Sequence, residues 1–99
     1  MRITIEENAE ATAFKLEGRV VGPWAVELAR TWSELAPTVA SKKVSLDLRN
    51  VTYADTSGIQ VLRSIYSQTG AELLSSTPWT QYLAGEVKQD SADFVDEEA

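Results

Sequence analysis

The 99-residue chain predicts one α/β domain: a mixed sheet of about four strands with three helices, in the order β-β-α-β-α-β-α. Three observations predict it. Segments with an apolar residue at every second position alternate with segments whose apolar residues recur every three or four. Helix start and stop residues stand between them. The length admits a single core, because a chain of this size buries roughly 60–65% of the surface its unfolded form exposes.

Residues 2–6, Arg-Ile-Thr-Ile-Glu, alternate polar and apolar and predict a half-buried strand. Residues 12–18 repeat the pattern, with Phe14 and Leu16 on one face and Lys15 and Glu17 on the other. Asn8-Ala9-Glu10 between them reads as a turn, which makes the pair an antiparallel hairpin. Gly22-Pro23 then opens a helix, since proline is preorganised for the first helical position. Trp24, Leu28, Trp32 and Leu35 form one stripe along it, and Pro37 is expected to end it.

Val44-Ser45-Leu46-Asp47-Leu48 is the strongest strand signal. Arg49-Asn50 reads as a turn, and Val51 to Ala54 lead into Asp55-Thr56-Ser57-Gly58. The next helix runs to about Thr69, with Ile59, Leu62, Ile65 and Tyr66 on one face, and Gly70 stands where a left-handed cap belongs. Ala71 to Ser75 is a short strand. Thr77-Pro78 caps a third helix marked by Trp79, Tyr82, Leu83 and Val87. The core expected from these faces is Phe14, Leu16, Leu28, Trp32, Leu46, Leu48, Ile59, Leu62 and Leu73.

Absences narrow the chemistry. Without cysteine there are no disulfides, zinc-thiolate sites or thiol nucleophiles, and without histidine the commonest general base is missing. Asp47 and Asp55 are the one pair of carboxylates that invites a catalytic reading, but Asp47 is expected to face out of its strand or to cap the turn that follows. No catalytic residue, metal ligand or cofactor is therefore assigned. The stretch Val20–Val26 is far too short to span a membrane, and the N-terminus has no apolar signal core, so a cytoplasmic protein without membrane insertion is expected. Fifteen acids against nine bases, net −6, disfavour nucleic acid as a partner. Five of those acids lie in residues 90–99 with no base, so the expected organisation is a domain over 1–89 and a solvated acidic tail that can be removed without loss of the fold.

The segment Asp55-Thr56-Ser57-Gly58 carries the functional reading. It joins a strand to a helix, at the edge of an open α/β sheet where ligands bind. Ser57 followed by Gln60 matches a capping box, and Gly58 removes side-chain bulk beside the serine. Ser57 is thus either a helix cap or a hydroxyl presented to a partner at a positive helix end.

The stretch "VSLDLRNVTYADTSGIQVLRSIYSQTGAELLSSTPWTQYL" resembles the second half of a STAS domain, the fold of bacterial anti-sigma-factor antagonists. Asp47-Leu48 matches the close of the central strand, Asp55-Thr56-Ser57-Gly58 the turn that opens the next helix, and Pro78 the later helix start. "AFKLEGRVVGPWAVEL" resembles the earlier strand–glycine–helix element more loosely. The resemblance implies a non-enzymatic module that binds a protein partner through Asp55, Thr56, Ser57 and Gly58. It also implies a switch in which phosphorylation of Ser57 releases that partner, an anti-sigma factor or serine kinase. The alternative it implies is a small subunit that packs against the ATPase of a lipid transporter.

Overall fold

The computed structural model describes residues 1–39 and 42–89; the acidic segment 90–99 lies outside the described residues. Strand β1 (Arg2–Glu7) pairs antiparallel with β2 (Ala11–Val20). The Asn8 side chain closes the hairpin, its Oδ1 accepting from the backbone N–H groups of Glu10 at 2.8 Å and Ala11 at 2.9 Å. Helix α1 (Gly22–Val39) crosses to β3 (Lys43–Ala54), which runs parallel to β2. Helix α2 (Thr56–Thr69) crosses to β4 (Glu72–Leu74), parallel to β3, and α3 (Pro78–Lys88) follows. The sheet order is β1-β2-β3-β4. Both crossovers move the same way along the sheet, so right-handedness puts α1 and α2 on one face, with α2 packed between α1 and α3.

The core lies between that helix layer and the sheet. Phe14, Leu16, Leu46 and Leu48 meet Leu28, Leu62, Ile65 and Leu83, all fully buried. Ile59 and Leu73, expected in the core, are only partly buried at its margin. On the opposite face the register aligns Thr4, Lys15, Asp47 and Leu74 across the four strands.

Three local expectations are corrected. Trp24 is 47% exposed, and the inward stripe is Ala25, Leu28, Trp32 and Val39. Both Trp24 and Ala25 stand at helical spacing from Leu28, and the smaller residue lets the helix approach the sheet. Pro37 lies inside α1 instead of ending it. Proline removes one hydrogen bond to the preceding turn, but Val39 is buried in the core and holds the last turn down. Arg49-Asn50 is no turn either: β3 runs straight through it. The register slips there, from Lys15 opposite Asp47 to Glu17 opposite Asn50, so a β-bulge absorbs the break in the pattern. On α3, Tyr82 points to solvent beside Trp79, whose indole N–H donates to the Val51 carbonyl at 2.8 Å.

Thr12 is 1% exposed, and its hydroxyl has no hydrogen-bond partner among the described residues. A buried hydroxyl left unpaired costs about 1–3 kcal/mol. Thr12→Val, of nearly equal volume, is therefore expected to raise the melting temperature by roughly 5 °C in a thermal melt. A lowered melting temperature would show that the hydroxyl is hydrogen-bonded in solution.

Candidate functional site

The site is built at the ends of β2 and β3, where α1 and α2 begin. Asp55, in extended conformation, is the N-cap of α2, and its Oδ1 accepts the N–H of Gly58 at 2.9 Å. Its Oδ2 accepts the N–H of Gly22, the first residue of α1, at 3.1 Å. Its own N–H donates to the Val20 carbonyl at the end of β2, at 3.3 Å. One aspartate thus ties two helix starts to the sheet. The capping box expected from Ser57 and Gln60 does not form, because Asp55 already occupies the cap two residues earlier.

Thr56 and Ser57 are the first two residues of α2, and both are exposed. Gly58 is buried: a Cβ at this position would collide with the backbone carbonyl of Val20. The glycine therefore lets α2 start directly against β2, and that closeness sets the height at which Ser57 stands. The Ser57 hydroxyl makes no hydrogen bond among the described residues, so it is available to solvent or to a partner.

Ser57 also borders a groove of about 670 Å³ between α1 and α2. Ala25, Ala29, Ser33 and Pro37 supply one wall at intervals of four residues, and Ser57, Val61, Ser64 and Gln68 supply the other. Trp32 is at its floor, where the indole donates to Gln68 Oε1 at 3.3 Å and meets Phe14 edge-on. No ionisable side chain lines it. Thr56, equally exposed, does not border the groove.

Asp47 stands apart from this site. It is 5% exposed, and both carboxylate oxygens take the Arg49 guanidinium at 2.8–2.9 Å while Oδ1 also accepts the Arg49 N–H at 3.0 Å. The hydrogen bonds from the Arg49 side chain hold the Asp47 carboxyl below its ordinary value, against the opposing effect of burial. With Asp47 committed to the bulge and Asp55 to two backbone N–H groups, the structure does not assemble them as an acid–base pair. Among the described residues no group of three or more side chains is arranged to hold a metal ion.

The STAS domain family profile matches residues 2–74 of this chain. The chain belongs to the STAS domain family. In solved structures, the STAS domain is similar to the anti-sigma factor antagonist SpoIIAA in its unphosphorylated form, with TM-score 0.65, 10% identity, and coverage of 97% of this chain and 96% of that one. It is also similar to part of Mglu, with TM-score 0.56, 18% identity, and coverage of 76% of this chain and 19% of that one. A third similarity is to an uncharacterised Shewanella loihica protein with a SpoIIAA-like fold, with TM-score 0.53, 13% identity, and coverage of 82% and 71%. At these identities the likeness is one of fold. No curated protein matches the sequence. The four-stranded mixed sheet, the three helices and their order are those of the SpoIIAA-like STAS fold.

The STAS domain brings Asp55, Thr56, Ser57 and Gly58 together at one helix start, with two exposed and two engaged in the fold. The groove beside them escaped the sequence reading. Its signal was present in the small residues Ala25, Ala29, Ser33 and Pro37, which recur at the interval of one helix face.

Proposed function

We propose that this STAS domain is a non-catalytic regulatory module of the cytoplasm that binds a protein partner across Ser57 and the α1–α2 groove, and that phosphorylation of Ser57 releases that partner. The observation that carries the reading is the position of Ser57: exposed in the first turn of α2, fixed by the Asp55 cap, and at the border of an uncharged groove. A phosphate there adds roughly −1.5 to −2 charges at a helix N-terminus, which accommodates an anion, while Asp55 two residues away opposes it. The domain itself is therefore expected to stay folded. A partner packed over the groove would have to bury an unpaired dianion against neutral walls, and this is unfavourable.

The partner class is a serine kinase or anti-sigma factor. The ATPase of a lipid transporter is the second class, favoured by Trp24 and Val26, two large apolar side chains that α1 leaves exposed, at 47% and 63%. Ser57→Asp is expected to weaken partner binding by about 2 kcal/mol or more, roughly thirtyfold, with native circular dichroism, while Ser57→Ala still binds. Pull-downs from the native cytoplasm with the three proteins, followed by titration of the captured partner, read this out. Unchanged binding by Ser57→Asp, or kinase labelling of Thr56 and never Ser57, sinks the switch.

A further inference from the structure

We infer that two copies of this chain pair through the outer edge of β1, forming a continuous eight-stranded antiparallel-joined sheet about a two-fold axis at Thr4. The inference is independent of the Ser57 reading. β1 is an edge of the sheet, and over its six residues it has no proline and no bulge, with Ile-Thr-Ile at its centre. Such an edge is a template for another strand. The opposite edge, β4, is only three residues long.

The hairpin determines which backbone groups are free. Asn8 N–H donates to the Ala11 carbonyl at 2.9 Å, so this pair is of the hydrogen-bonded kind. Alternation along the antiparallel register then turns Arg2, Thr4 and Glu6 towards β2, and points the N–H and C=O groups of Ile3, Ile5 and Glu7 outward. A second β1 in antiparallel orientation must bond to those outward residues. Several registers satisfy this, and the side chains select among them. With Thr4 opposite Thr4, Ile3 of one copy exchanges hydrogen bonds with Ile5 of the other, and Arg2 stands directly across from Glu6. The two-fold axis repeats each contact. Both isoleucines lie on the helix side of the sheet, where Ile3 already packs on the core and Ile5 is 36% exposed, so pairing extends the apolar row. On the other side, Arg2 makes no ion pair among the described residues, while Glu6 takes Lys15 at 3.2 Å and has a side chain 60% exposed. The neighbouring register, Ile5 opposite Ile5, would put Ile3 against Glu7 and leave Arg2 unmatched.

Sedimentation equilibrium on the full chain, over a concentration series, tests the pairing. The wild type is expected to show a reversible monomer–dimer equilibrium. Arg2→Glu sets acid against Glu6 and is expected to weaken dimerisation at least tenfold. Glu6→Arg should do the same by setting base against Arg2, and the double swap Arg2→Glu/Glu6→Arg should restore it. The chain has no cysteine, so Thr4→Cys offers a second measurement. Facing Thr4 positions form a non-hydrogen-bonded pair, whose Cα separation of about 4.5 Å suits a disulfide. Thr4→Cys should therefore cross-link under mild oxidation much faster than Ser67→Cys, at an exposed position of α2. A wild type that stays monomeric, a dimer indifferent to the charge reversals, a swap that fails to restore pairing, or equal cross-linking at the two cysteines overturns the inference. None of these outcomes touches Ser57.

Discussion

Gly58→Ala is expected to lower stability by about 2 kcal/mol or more, although alanine is the better helix former. The two effects oppose each other. Alanine in a helix gains up to about 1 kcal/mol over glycine. Here the added methyl meets the Val20 carbonyl, a backbone atom that cannot rotate away; overpacking typically costs about 1–3 kcal/mol and occasionally more, and a clash with fixed backbone belongs at the upper end. Relief by moving α2 outward would stretch the Asp55 bonds to Gly58 and Gly22. For a domain whose total stability is about 5–15 kcal/mol the net loss is large. A urea melt should show a lower midpoint with an unchanged slope. A loss below about 0.5 kcal/mol would mean that the helix start can shift freely, and that Gly58 does not set the position of Ser57.

Leu46→Ala is the second large effect, expected at about 2–5 kcal/mol. Leu46 is fully buried in the first half of β3, level with Phe14 on β2 and Leu73 on β4. The sheet is hydrogen-bonded on both sides of it, so the backbone cannot collapse into the space vacated. The same melt measures it. A change under about 1 kcal/mol, in the range of ordinary surface substitutions, would place β3 elsewhere in the sheet.

Much of the fold could be read from the chain because its local signals agree with one another. The alternation at Phe14 and Leu16 and that at Val44, Leu46 and Leu48 specified the buried faces of the two central strands. Thr77-Pro78 specified a helix start, and there Thr77 caps Thr80 while the Thr80 hydroxyl returns the bond to Thr77. Gly70 takes the left-handed conformation that its position required, with φ of 65°.

The readings that failed did so where tertiary contacts override local pattern. The bulge at Arg49-Asn50 exists because β2 and β3 must stay paired, and Asp47 supplies its hydrogen bonds. The cap of α2 belongs to Asp55 and not to Ser57, a choice between polar residues two positions apart that propensity does not make. The α1–α2 groove depends on how far apart two helices settle, and that distance is written in no single segment.

The double hold of Asp55 has a consequence for how the chain reaches its native state. Helix α1 begins after Val20-Val21, where no side chain is able to cap it. The acceptor for the Gly22 N–H comes from 33 residues further along. During synthesis α1 therefore emerges with an incomplete first turn, and most of a helix's stability in a protein comes from tertiary contacts of this kind and not from the isolated segment. Only after β3 has aligned beside β2 does the carboxylate arrive, and the same event completes α2. The first turns of the two helices are thus completed by one carboxylate, across a long sequence separation, so that the starts of α1 and α2 are coupled to each other and to the pairing of β2 with β3.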